Sequence, residues 1–402
     1  MLEEQIVLNS NQAVNNARIS LFREMTENAK KDPVRRKETE IHSMTYGDAE
    51  MKYTVSVIGE PEENGYPVYI ALHGGGGAPR ELNDSQWEHM QIYYRDSVKC
   101  GIYVAPRGVR DTWNTHFNDE SYFLYERLIE NLSIYENIDT NRVYLMGYSA
   151  GGDGVYQISP RLADRFAAVN MSAGHPNGVS LTNLYNTPIS LQCGENDTNF
   201  NRHRETARSA GRLKELSEIY QSDASEAGYL HTVLIHISRG HGIRDNDAER
   251  SLQTVIGNPD EWLQGADPIP ENTNTNAVDF LNQYTRNPLP ERIVWDLSVR
   301  SHGSDTFYWL RASEDVREGI VVVNYDKAAN TFHVEKNTAK GDVFIMVNDE
   351  MADLFAPITV ASASQSVSCT VTPSPDYMKK TISERWDKNM IFTAEIPLPA
   401  NP

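Results

Sequence analysis

Cysteine is scarce in this chain. Cys100, Cys193 and Cys369 are the only three in 402 residues, odd in number and widely scattered, which argues against a disulfide framework and a cysteine metal site and fits a reducing compartment. Positive charge is also in deficit, with 37 Lys and Arg against 56 Asp and Glu and a formal charge of −19. A chain of that sign repels nucleic acid and anionic membrane, so neither is an expected partner. No apolar run reaches the roughly 20 residues that cross a bilayer, which excludes insertion as a transmembrane helix. The opening Met1-Leu2-Glu3-Glu4 is acidic where a signal peptide is basic, and no hydrophobic segment follows it. A cytoplasmic location is expected on that pattern, or a secreted one for a chain whose signal has been removed. Oligomeric state has no signature here.

The length allows two or three domains and a sizeable core. Residues 1–47 are polar with helical spacing; Val14, Ala17, Leu21 and Met25 share a face, so helices packed on the following core are expected. From 48 to 290, apolar strands recur between helix-like segments: Tyr53–Ile58, Val68–Leu72, Gly101–Ala105, Val143–Met146, Phe166–Met171, Ile189–Cys193 and Thr232–Ile237. That alternation means an α/β domain with a largely parallel sheet covered on both faces. Asn, Pro, Glu and Thr dominate Asn258–Asn276, which suggests an inserted loop. After the stiff junction Asn287-Pro288-Leu289-Pro290, short alternating stretches mark 291–402 as a smaller β-rich accessory domain with one helix near Tyr377–Arg385. The short junction leads to the expectation that Trp295 packs back on the α/β core.

The chemistry concentrates in four places. Gly147-Tyr148-Ser149-Ala150-Gly151 follows the apolar Val143–Met146 and precedes a small-residue stretch, a G-x-S-x-G elbow between strand and helix. A serine lifted off a strand end needs strained backbone angles, and glycines two positions either side remove the collision. Upstream, the buried-strand pattern Tyr66–Leu72 runs into His73-Gly74-Gly75-Gly76-Gly77. Such a loop lets backbone N–H groups approach a substrate carbonyl; Gly75 and Gly76, with Ala150 after the serine, are the expected oxyanion-hole donors.

A serine hydroxyl needs a base, and the base needs an acid to hold its tautomer. The strand Pro188–Cys193 ends in Gly194-Glu195-Asn196-Asp197. Asp197 is the expected acid, with Glu195 the rival because it sits nearer the strand end. The strand Leu230–Ile237 leads to Ser238-Arg239-Gly240-His241-Gly242, and His241, free between glycines, is the expected base. His231 and His236 lie within the strand and read as packed or surface residues. His73 precedes the serine and reads as structural, while His116 and His175 lie in loops that border the expected pocket. Trp113 and Asn114, in the loop after the strand ending at Ala105, are candidate substrate-binding residues.

These motifs, together with Ala105-Pro106-Arg107, Asn201-Arg202, Arg286-Asn287-Pro288, Val294-Trp295 and Val347–Leu354, carry a resemblance. From about Tyr53 to the C-terminus the chain is similar to the α/β-hydrolases labelled esterase, dienelactone-hydrolase-like or polyhydroxyalkanoate-depolymerase-like, in the subgroup with a C-terminal β domain. It departs from them in having Gly242-Ile243 where an aromatic usually follows the histidine, and in a longer segment between Asp247 and Arg286. The resemblance implies the α/β-hydrolase fold and a serine hydrolase of carboxylic esters, needing no cofactor and no metal, with a small-molecule or oligomeric ester as substrate. Serine peptidases of the prolyl-oligopeptidase type use the same triad, and leaving-group preference is not legible. A non-catalytic hydrolase-like binding protein usually lacks a triad residue or the glycine loop, and both are complete here.

Overall fold

The computed structural model describes residues 8–222, 228–236, 238–243, 251–253, 267–268, 276–301 and 303–399. The opening Met1–Glu4, the last residue of the strand read to Ile237, and most of the loop expected at Asn258–Asn276 lie outside the described residues. The chain forms two compact units. One comprises Ile41–Tyr125 and Asn137–Asn287; the other collects Met1–Glu40, Glu126–Glu136 and Pro288–Pro402.

The chain begins with helices α1 (Asn11–Ala29) and α2 (Pro33–Ile41). The α/β unit is then built on β1 (Ser43–Tyr46), β2 (Ala49–Ile58), β3 (Tyr66–Leu72), β4 (Gly101–Pro106), β5 (Ile138–Tyr148), β6 (Ala168–Ser172), β7 (Ile189–Gly194), β8 (His231–His236), β9 (Ser251–Gln253) and β10 (Asp267–Pro268). They form one sheet in the order β1-β2-β4-β3-β5-β6-β7-β8-β9-β10. Pairing from β4 through β8 is parallel, and the strands at either end are antiparallel. Residues of β4, β6 and β7 are buried at every position, which is possible only where both faces of the sheet are covered. Helices α3 (Arg80–Tyr93), α5 (Ala150–Ile158), α6 (Arg202–Ile219) and α7 (Ala277–Leu281) pack on these strands, and α4 (Asp119–Tyr135) connects β4 to β5.

The β-rich unit holds β11 (Arg292–Asp296), β12 (Thr306–Phe307), β13 (Leu310–Ala312), β14 (Ile320–Asp326), β15 (Thr331–Asn337), β16 (Val343–Val347), β17 (Ile358–Ser362), β18 (Ser366–Cys369), helix α8 (Pro375–Arg385) and β19 (Ala394–Pro397). They make two sheets, β11-β14-β15-β17-β18 and β12-β13-β16-β19. Trp309, beside β13, meets Phe332 of β15 at 5.4 Å between ring centroids, so the two sheets share a core. Trp295, expected against the α/β core, is buried within this unit and stacks on Phe307 at 5.6 Å.

Helix α1 differs from expectation in its partner. Val14, Ala17 and Leu21 are buried as the spacing predicts, but α1 packs on α8. Arg18, 2% exposed, fixes that placement by binding Asp349 with Nε at 2.6 Å and Glu350 with Nη2 at 2.5 Å. An apolar stripe states that a helix has a buried face; it does not state which unit covers it.

Candidate active site

The elbow is set by close packing. Ser149 has φ 59° and ψ −120°, at the junction where β5 ends and α5 begins. A Cβ on Gly147 would lie 2.2 Å from the carbonyl oxygen of Gly151, and one on Gly151 would lie 2.0 Å from that of Leu72. No side chain fits at either position, so both glycines are dictated by the turn itself. The result is a serine held in a backbone conformation that costs of order 1–3 kcal/mol.

Around Ser149 the structure brings together Asp197 and His241 from distant points in the chain. His241 Nε2 lies 2.9 Å from Ser149 Oγ, and His241 Nδ1 lies 2.8 Å from Asp197 Oδ2. The Asp197 side chain is 1% exposed. Its Oδ1 has no hydrogen-bond partner among the described residues, and Arg202 Nη1 stands 3.8 Å from it. The rival Glu195 turns elsewhere and accepts from the Ser238 N–H at 2.6 Å. His236 is fully buried against Gln192 at 3.0 Å, and His231 contacts the Tyr229 carbonyl at 2.8 Å, so both are packing residues.

The glycine loop lies against the serine: a Cβ on Gly74 would be 3.4 Å from Ser149 Cβ, and one on Gly76 would be 3.4 Å from Ala150 Cβ. One expected donor is already engaged. The Gly76 N–H donates to Asn83 Oδ1 at 2.9 Å, whereas those of Gly75 and Ala150 have no acceptor among the described residues. Gly75 has φ 105°, and a Cβ there would strike Asn83 Oδ1 at 2.1 Å. Asn83, fully buried, also donates to the carbonyls of Gly76 (2.9 Å) and Ala78 (3.2 Å) and to Asp111 (2.8 Å). Burial works to raise the Asp111 carboxyl, but hydrogen bonds from Arg107 and Asn83 outweigh it and hold the group below its ordinary range. Sequence reasoning missed Asn83, because an asparagine in a polar helix start carries no local mark of its tertiary role.

His73 and His116 sit behind this loop as a buried pair, ring centroids 4.6 Å apart. His73 Nδ1 donates to the Gly74 carbonyl at 2.6 Å and Nε2 accepts from the Gly108 N–H at 2.8 Å, while His116 Nε2 donates to the His73 carbonyl at 2.8 Å. Burial above all lowers His73 to about 4, with a smaller effect from Arg107, and lowers His116 well below its ordinary value, with His73 adding to the effect. Both are neutral struts. His175 donates its N–H to Asp153 at 2.7 Å. Trp113 is 61% exposed and meets Phe117 edge-on at 5.3 Å; its backbone carbonyl lies against Gly76. The Asn114 side chain accepts from Thr112 Oγ1 at 2.9 Å, within its own turn.

The loop carrying His241 has glycine on both sides, and a Cβ on Gly242 would meet nothing within 4 Å. Two phenols grip its backbone. Tyr93 of α3 donates to the Ile243 carbonyl at 2.6 Å, and Tyr148 of the elbow donates to the His241 carbonyl. The Tyr148 ring lies 5.5 Å from that of His241 and 5.4 Å from that of Tyr93. Tyr148 thus supplies from the elbow an aromatic neighbour that Gly242 cannot. Neither tyrosine is marked by sequence pattern.

Among the described residues, no group of three or more His, Cys, Asp or Glu is arranged to hold a metal, and no helix is long and apolar enough to cross a membrane. A serine elbow after β5, an acid after β7 and a histidine after β8, on a sheet parallel from β4 to β8, decide the architecture. The fold is that of an α/β-hydrolase.

No family model matches the chain. Over 114 residues it is 31% identical to a bifunctional acetylxylan esterase/xylanase of Neocallimastix patriciarum, a match covering 28% of this chain and 16% of that protein. Among solved structures, it is similar to a thermostable esterase (18% identity, TM-score 0.37, 61% of this chain and 62% of the other). A ferulic acid esterase (18% identity, TM-score 0.34) and an S-formylglutathione hydrolase from Agrobacterium tumefaciens (15%, 0.36) each match over 50% of this chain, and over 90% and 87% of their own.

Proposed function

We propose that this α/β-hydrolase cleaves carboxylic esters through an acyl-serine intermediate. The observation that carries the reading is the continuous line from Asp197 through His241 to Ser149, with contacts of 2.8 and 2.9 Å. His241 Nε2 takes the proton of Ser149 Oγ as that oxygen attacks the ester carbonyl, while Asp197 fixes the tautomer and stabilises the imidazolium. The N–H groups of Gly75 and Ala150 receive the developing oxyanion; each such donor is worth about 10²–10³ in rate. His241 then protonates the departing alkoxide. Water, deprotonated by the same imidazole, attacks the acyl-serine and releases the carboxylic acid. No cofactor enters these steps.

Trp113, exposed beside the glycine loop, and Asn114 after it are assigned to the substrate. The partial likeness to a protein named for acetylxylan esterase activity supports an ester over an amide. The test is a panel of p-nitrophenyl esters set against aminoacyl anilides, with fluorophosphonate labelling of the purified protein. Ester turnover and single-site labelling are expected, and both should vanish in Ser149→Ala, which loses only a hydroxyl. Turnover retained by that variant would remove the serine from the mechanism.

A further inference from the structure

Helix α1 carries a second stripe beside the one it buries. Asn15, Ile19, Phe22 and Thr26 recur at three- and four-residue steps, and with Ile391 they line an open cavity of about 480 Å³ on the β-rich unit. That volume falls within the roughly 300–1,000 Å³ of small-molecule sites. Two features of the wall are unusual. Thr26 Oγ1 has almost no accessible surface and no hydrogen-bond partner among the described residues. Charge is the other: three cations line the cavity against two carboxylates, in a chain whose acids outnumber its cations 56 to 37.

The carboxylates are already engaged. Glu350 is bound by Arg18 at 2.5 Å and Glu27 by Lys30 at 2.8 Å. Arg23 and Lys388, both exposed, have no acidic partner among the described residues. The cavity therefore joins an apolar wall of Ile19, Phe22 and Ile391 to two free cations, complementary to one kind of small molecule.

We propose that this cavity binds an organic anion with a ring-sized apolar body, its acid group held by Arg23 and Lys388 and its body lying on Phe22 and the two isoleucines. Ester hydrolysis also releases carboxylates, but the proposed site does not depend on that reaction.

The test is titration calorimetry of the full chain with 2-naphthoate and with neutral 2-naphthamide, after Ser149 has been capped by a fluorophosphonate. Naphthoate is expected to bind at least tenfold more tightly than naphthamide. Arg23→Gln with Lys388→Gln should erase that difference, and raised salt should reduce it. Equal affinity for the acid and the amide, or naphthoate binding unchanged in the double variant, would overturn the proposal. Failure of the capping step would count against the serine mechanism alone, since the double variant still reports on the cavity.

Discussion

At Asp197 two carboxylates two positions apart compete for one role, and spacing alone leaves a choice. The structure separates them by partner: Asp197 reaches His241, while Glu195 receives the Ser238 amide. Asp197→Asn and His241→Ala should therefore each lower kcat by about 10³–10⁴ or more. Glu195→Gln should leave kcat within a few-fold. A dead Glu195→Gln with an active Asp197→Asn would reverse the assignment. The buried histidines make a second prediction at this scale. In the unfolded chain His73 takes up a proton near its ordinary 6.5, but in the fold only near about 4. Between those values the unfolded state binds more protons, so stability falls as pH drops through that window, and His116 adds in the same direction. Melting temperatures measured from pH 7 to 4 should decline, with a shallower slope in His73→Asn. An unchanged slope there, with His116 intact, would show that His73 is not the group responsible.

Among the elements, those set by local pattern were legible. Apolar runs gave β3 and β4 almost to the residue, because a strand covered on both faces is apolar at nearly every position. The elbow was legible because only glycine escapes the collisions at 147 and 151. The supports of the site were not legible. Asn83, Tyr93 and Tyr148 act through partners 7, 150 and 93 residues away, and no periodicity records such a pairing. The oxyanion loop shows the same limit: Gly75 and Gly76 are both expected donors from the sequence, and only Asn83, which takes the N–H of Gly76, distinguishes them. The two phenols yield a prediction for the His241 loop. Since glycines flank the imidazole and leave its backbone free, the hydroxyls of Tyr93 and Tyr148 should matter to its register. Tyr148→Phe and Tyr93→Phe keep the rings and should each lower kcat about three- to tenfold with little change in KM, and the double variant more. The rate of Ser149 labelling should fall in step. A loss confined to thermal stability, with kcat and labelling unaltered, would reduce these contacts to packing.

For the whole molecule, chain order and spatial grouping disagree. The β-rich unit takes in Met1–Glu40 and Glu126–Glu136 as well as everything after Asn287, so the accessory domain is not a simple C-terminal appendage. Its buried ion pairs state the dependence: Arg18 relies on Asp349 and Glu350, and Arg35, 7% exposed, binds Glu130 at 2.8 Å and lies over the Trp386 ring at 5.4 Å. Ending the chain at Leu289 would leave Arg18 buried without a counter-ion or else expose it together with Val14 and Leu21. Loss of one partner of a buried pair typically costs about 3–5 kcal/mol, and the apolar stripe of α1 adds to that. Such a truncation, which touches none of Ser149, Asp197 or His241, should yield aggregated protein or a melting temperature lowered by more than about 10 °C. Removing Met1–Glu40 in the same variant should recover part of the solubility, because the orphaned stripe goes with it. A chain ended at Leu289 that stayed monomeric, melted with the intact protein and labelled at Ser149 at the same rate would show that the N-terminal helices do not need the C-terminal strands, and that the accessory unit is separable after all.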